Sequence, residues 1–179
     1  MSKTMKPTGD MLSIASSCIE IAMKKGAKQA SAGAYRIRNV NFEWRDGKPQ
    51  KVEESTTRGV QLAVYVDDRF AAVATSDLRP DALDRFIGDA VLLAKSLEKD
   101  PFRVLPDPEL YKGRSSADLA LEDPKYETVT PEIRRQIARE TEAAARAVKG
   151  NEAILSVTTS VSDTLNESFQ VNSNGFSGK

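Results

Sequence analysis

No histidine occurs among the 179 residues of this chain. That absence removes the commonest general base, the usual activator of serine and cysteine nucleophiles and the imidazole ligand of most catalytic zinc sites. There is one cysteine, Cys18, so neither an intramolecular disulfide nor a thiolate metal cage is available. Net charge is absent too, with 26 basic against 26 acidic side chains. Duplex binding draws on a basic excess, so nucleic acid is not the expected partner, and zero net charge does little to oppose self-association. No apolar run approaches a membrane span, and the polar start lacks a signal peptide's apolar stretch. No membrane is expected as a partner, and the chain reads as cytoplasmic. Apolar residues at 40% and charged residues at 29% are ordinary for a globular protein.

The expected fold class is α+β: an antiparallel β-meander with flanking helices, in the order α-β-β-β-β-α-loop-α-β-β. Residues 1–9 are expected as a flexible tail and 10–179 as a single domain. Met11, Ile14, Ala15, Cys18, Ile19, Ala22 and Met23 recur at helical spacing over Asp10–Lys25, with Thr8 or Asp10 as candidate caps and Gly26 as the stop. Val40, Phe42 and Trp44 alternate with polar residues as a half-buried strand does, and Asp46-Gly47 marks a hairpin turn. Lys51–Thr57 reads as an exposed edge, Val60–Val66 as a further strand, Asp67-Asp68 as a turn and Phe70–Thr75 as the return. A second helix follows, with Ser76 or Asp77 as candidate cap, Pro80 in its first turn and an apolar face from Leu83 to Leu97. Four prolines interrupt Lys99–Val129, which reads as a loop. Thr130 and Pro131 open a third helix, whose inner stripe is expected to be Ile133, Ile137, Thr141, Ala144 and Val148. Leu155–Val161 reads as a strand, Asp163-Thr164 as a turn, and Phe169 and Val171 as its return. Asn172–Gly175 makes a last turn, after which the chain stops as if cut.

The chemistry-bearing residues have plain structural readings. Cys18 shares the first helix's apolar face, as a core cysteine does. Ser96-x-x-Lys99 matches a serine–lysine hydrolase pattern in two positions only, without its companion motifs. Glu53 and Glu54 are adjacent on a strand and point to opposite faces, and Asp67-Asp68 is a turn. There is no phosphate loop. Asn166-x-Ser168 matches a glycosylation sequon by pattern alone. The Arg134, Arg135, Arg139 and Arg146 charges on the third helix are balanced by Glu132, Glu140 and Glu142. No catalytic, cofactor-binding or metal-binding residue is assigned.

Six segments taken in order carry a resemblance that no single motif does. They are Val40-x-Phe42-x-Trp44-x-Asp46-Gly47-Lys48, Val52–Ser55, Arg58–Val66, Thr75–Leu78, Leu105–Tyr111 and Asn172–Gly178. Together they resemble the amino-terminal domain of the TldD/PmbA (modulator of DNA gyrase) family, nearer its PmbA (TldE) branch. The resemblance implies a cytoplasmic, substrate-enclosing and subunit-pairing domain of a metallopeptidase component involved in proteolysis and inactive alone. Implied partners are a TldD/PmbA-type subunit or further copies of the chain, and an unfolded peptide. Implied zinc belongs to a His-Glu-x-x-x-His helix in a carboxy-terminal domain absent here or in a partner, so no cofactor is expected in this chain. The alternative reading is a stand-alone peptide-binding or assembly domain lacking the peptidase half.

Overall fold

The computed structural model of the chain describes residues 9–115 and 117–179. Its principal elements are α1 (Gly9–Lys24), β1 (Gln29–Arg45), β2 (Lys48–Val66), β3 (Arg69–Thr75), α2 (Pro80–Ser96), α3 (Pro131–Arg146), β4 (Thr158–Asn172) and β5 (Ser177–Gly178). This is the expected α+β order, with Lys51–Thr57 and Val60–Val66 joined in the single strand β2. The sheet runs β3-β2-β1-β4-β5. β2 and β3 pair antiparallel from Val60↔Thr75 to Val66↔Arg69, and β4 pairs antiparallel with β5. Two compact units divide the chain. Unit 1 holds the chain through Ile37, Thr57–Arg114 and Asn166–Lys179, and unit 2 holds Arg38–Thr56 and Ser115–Leu165.

Unit 1 has the larger apolar core. On α1, Met11, Ala15, Cys18 and Ala22 are buried at helical spacing, against Ala30, Ala32 and Ala34 of β1 and Val60, Leu62, Val64 and Val66 of β2. Alanine on both surfaces lets helix and sheet approach closely, while Leu83, Ile87 and Val91 of α2 supply bulk. The end of α1 follows from Gly26, whose φ of +100° suits glycine. The Gly26 N–H donates to the Met23 carbonyl at 3.1 Å and the Ala27 N–H to that of Ala22 at 3.0 Å, closing a Schellman end. At the start of α1, Thr8 and the rest of the expected tail before Gly9 lie outside the described residues. Asp10 is already inside the helix, so it is not the residue before it.

Capping of α2 also differs from expectation. The residue before the helix is Arg79, with no side-chain cap bond. Asp77 instead accepts from the Arg79 N–H at 3.2 Å and from its guanidinium Nε at 2.9 Å, two residues before the first turn. Pro80 occupies the first helical position, where a missing N–H costs nothing.

The hairpin turns are the expected ones. Asp46 and Gly47 have φ of 46° and 81°, and Asp67 and Asp68 have 48° and 63°, so all four are left-handed, as tight two-residue hairpins require. Aspartate tolerates that region better than most residues with a Cβ. Asp163-Thr164, by contrast, is no turn, since β4 runs through it unbroken to Asn172. The polar pair suggested a turn, but its polarity serves cross-element bonds. Asp163 takes the Arg134 guanidinium, and the Thr164 hydroxyl donates to Asn39 of β1 at 2.8 Å.

In unit 2, α3 is turned about 100° from its expected orientation. Its buried residues are Arg134, Ala138 and Glu142, whereas Ile133, Ile137, Thr141, Ala144 and Val148 are exposed. Thr130 and Pro131 do open the helix as expected, the Thr130 hydroxyl accepting from the Ile133 N–H. What turns the helix is the chemistry beneath it. Phe42, Trp44 and Val161 pack on Ala138, and the Trp44 indole N–H donates to Glu142 at 2.6 Å. A buried indole N–H needs an acceptor, and Glu142 on the buried stripe of α3 provides it.

Candidate functional site

The residues singled out by sequence do not converge. Cys18 is fully buried in the α1 core, and burial pushes its thiol up to about 11, so it is protonated at neutral pH. Ser96 ends α2 and donates its hydroxyl to the Leu93 carbonyl at 2.8 Å, an ordinary helix-end bond. Glu54 pairs with Arg38 at 2.8 Å, while Glu53 pairs with Lys51 at 2.8 Å. Each carboxylate thus has its own cation. Asp67 pairs with Lys28 at 3.0 Å beside its turn.

The zinc implied by the resemblance does not fit this chain. With no histidine and a buried cysteine, only carboxylates remain as donors. Among the described residues no group of three or more such side chains lies at metal-binding distance. Nor is any helix among them long and apolar enough to cross a membrane.

What the fold does present is an unpaired strand edge. The β3 ladder on β2 stops at Val60↔Thr75, so β2 before Val60 has β1 on one side and, among the described residues, no strand on the other. Every residue from Lys48 to Arg58 is exposed, Val52 at 65%. The Lys51 ammonium, hydrogen-bonded to Glu53, holds that carboxyl below its ordinary value. Pro49, Lys51 and the two glutamates are the residues that keep an exposed edge from joining a like edge. The backbone N–H and C=O groups facing outward remain available to an extended polypeptide.

A second surface is the helix-free face of unit 1. Because side chains alternate across a strand, the buried Ala30, Ala32 and Ala34 leave Ser31, Gly33 and Tyr35 on the other face. There, Gln61, Ala63, Ala72 and Gln170 join Ser31 and Gly33 around a shallow groove of about 360 Å³. At Gly33 a Cβ would lie 2.7 Å from Gln170 Oε1, so a side chain there would displace the Gln170 amide. The Gln170 amide donates to Ser31 Oγ at 2.6 Å, which holds it across the floor. An adjoining hollow of about 380 Å³ reaches Tyr35, Ser168 and Phe176. Its amide and hydroxyl groups bind by hydrogen bonds and supply no activated nucleophile.

Two of the distant resemblance segments meet beside this hollow. Asn172 donates its amide to Tyr111 Oη at 2.8 Å, Asn174 to the Pro106 carbonyl at 3.1 Å, and the Tyr111 and Phe176 rings lie 5.2 Å apart. The proline-rich stretch therefore clamps the last hairpin. Sequence reasoning missed this contact, and also the buried polar pairs of unit 2. Arg134 donates from Nε to Asp163 at 2.5 Å, and Tyr126 adds its hydroxyl at 2.8 Å. Glu142 accepts from Trp44, from the Gly47 N–H at 3.1 Å and from Arg146 at 3.0 Å. The one available signal was Trp44 itself, an apolar ring whose N–H had no partner nearby in sequence.

Comparison with known proteins agrees with this geometry. Residues 30–94 match the family described as PmbA/TldA metallopeptidase domain 1. A modulator-of-DNA-gyrase protein from Bacteroides thetaiotaomicron is similar over 96% of this chain at 30% identity, with a TM-score of 0.84. One from Thermotoga maritima covers 93% at 13% identity and a TM-score of 0.72, and TldE from Thermococcus kodakarensis covers 92% at 17% and 0.69. The last two likenesses show the fold alone. The chain spans 38%, 36% and 36% of the lengths of these three proteins. None of the curated protein sequences matches it. Residues 30–94 thus carry the first-domain pattern of PmbA/TldD metallopeptidases, and over nearly its whole length the chain is similar to a modulator-of-DNA-gyrase protein.

Proposed function

We propose that the chain is the substrate-enclosing and subunit-pairing domain of a TldD/PmbA-like metallopeptidase component, taking part in proteolysis without cleaving peptide bonds itself. The observation that carries this reading is the open edge of β2 in a chain whose donor set fits no metal. An unfolded polypeptide laid along Lys48–Thr56 gains backbone hydrogen bonds without regard to its sequence. The metal and its activated water belong on this reading to another domain or to a partner subunit, and the PmbA (TldE) branch suits a chain with no ligands of its own.

Proline substitutions test the edge directly. Residues 52 and 55 are an odd number apart, so their N–H groups point to opposite sides of β2. One of Val52→Pro and Ser55→Pro thus removes an outward donor and leaves the β1 ladder intact, whereas the other breaks that ladder. The variant that keeps the native circular dichroism spectrum is expected to lower cleavage of an unfolded peptide by the assembled metallopeptidase about tenfold, the effect of losing ~1.4 kcal/mol of binding. Unchanged cleavage in that variant sinks the edge reading. Peptide hydrolysis by the purified chain alone, persisting in chelator, sinks the non-catalytic one.

A further inference from the structure

The free edge of β2 is held from behind by a run of polar side chains. Between the Asp46-Gly47 turn and Val60, where the β3 ladder begins, its neighbour among the described strands is β1 alone. Every residue from Lys48 to Arg58 is exposed, and a strand that buries so little opens locally unless side chains tie it down. On the face away from α3, the exposed Glu53 accepts a bond from Asn41 of β1. On the other face the tie runs deeper. Arg38 shares the side of β1 that carries Phe42 and Trp44, the side that α3 covers. Its Nε donates to Glu54 at 2.8 Å and its Nη1 to the Tyr126 hydroxyl at 3.4 Å. That hydroxyl has one hydrogen, which goes to Asp163 at 2.8 Å, so it meets Arg38 with a lone pair. Asp163 in turn takes the guanidinium of Arg134 on α3, which is 3% exposed. One series of hydrogen bonds therefore leads from a buried charge to the open edge.

We infer that Arg38 is a positioning residue for peptide capture, passing the hold of the buried Arg134–Asp163 pair through Tyr126 to Glu54. This deepens the edge reading and rests on it. A polypeptide that adds to β2 needs the outward N–H and C=O groups of Lys48–Thr56 in one line. An edge ordered beforehand removes the penalty of ordering it on binding. A guanidinium suits the task because its Nε and Nη1 reach two partners in fixed directions, which an ammonium on a flexible stem does not.

The test is binding of a dye-labelled decapeptide of alternating threonine and serine to the whole chain, followed by fluorescence anisotropy. Arg38→Lys and Arg38→Met are expected to weaken binding alike, by about fivefold, as the net loss of one hydrogen bond does. Glu54→Gln and Tyr126→Phe should each weaken it about threefold, and together no more than Arg38→Lys does. None of the described bonds joins Glu54 to Tyr126, so such a shortfall from independent effects marks coupling through Arg38. Circular dichroism and Trp44 emission should stay as in the wild type, and the exposed position of Glu54 keeps its variant folded in any case. Wild-type affinity in Arg38→Lys would overturn the relay, since charge alone would then suffice. So would losses from Glu54→Gln and Tyr126→Phe that multiply. Binding that responds to the edge proline yet to none of these changes overturns the positioning role and leaves the edge reading standing. No binding by the wild-type chain overturns both.

Discussion

Replacing Asp163 by alanine is expected to destabilise unit 2 by about 3–5 kcal/mol, the usual loss when a buried ion pair loses one partner. Arg134 is 3% exposed, and its Nη2 already lacks a hydrogen-bond partner. Without Asp163 the guanidinium stays buried with its charge uncompensated, and Tyr126 loses an acceptor as well. The double variant Arg134→Met, Asp163→Leu should recover most of that loss, because an apolar pair of similar volume carries no desolvation cost. Trp44 is the only tryptophan and lies in unit 2. Its emission during urea unfolding therefore reports this unit, and comparison with circular dichroism shows whether unit 1 unfolds with it. Acid should weaken the pair in the same place. The Arg134 guanidinium, aided by the Tyr126 hydroxyl, holds the Asp163 carboxyl below its ordinary value. The pair's contribution is thus complete above the unfolded-state value near ~4 and is lost as pH falls through the lower folded value. A single Asp163→Ala variant with a wild-type urea midpoint would show that the pair does not hold α3.

Trp44→Ala should cost about 3–5 kcal/mol, as truncation of a buried aromatic does. The ring is 7% exposed and stacks on Phe42 with centroids 6.3 Å apart, in a small core where few other contacts compensate. Trp44→Phe separates the ring from its N–H. It keeps the stack but leaves Glu142 Oε2 with the Gly47 N–H, so its loss should be smaller and should shrink further with Glu142→Gln in the background. Thermal melting followed by circular dichroism measures both. Equal losses from the two variants would mean that the hydrogen bond alone positions the helix.

Local signals in the sequence were reliable where a residue's role was set by its neighbours along the chain. Gly26 ends α1, Asp46-Gly47 and Asp67-Asp68 turn the hairpins, and Pro131 opens α3 because each acts within a few residues. The facing of α3 was not legible. Its apolar and buried stripes are one residue apart, and the choice between them rests on Trp44, 98 positions from Glu142, and on Asp163, 29 from Arg134. Asp163-Thr164 looked like a turn for the same reason, since polarity directed at a distant partner resembles polarity directed at solvent. The candidate site was half legible. Glu53 and Glu54 marked Lys51–Thr57 as an edge, but that β3 stops at Thr75 and leaves the edge bare is a matter of register. The Gly33–Gln170 groove left no local signal at all.

Amide hydrogen exchange of β2 in the presence of an unfolded polypeptide tests the central claim most directly. If the domain receives extended chains along its free edge, alternate amides from Lys48 to Thr56, the outward-facing ones, should exchange more slowly as peptide is added. The inward-facing ones, already bonded to β1, should not change, and the peptide should be recovered intact. Exchange along Lys48–Thr56 that is unaffected by saturating peptide would contradict the account.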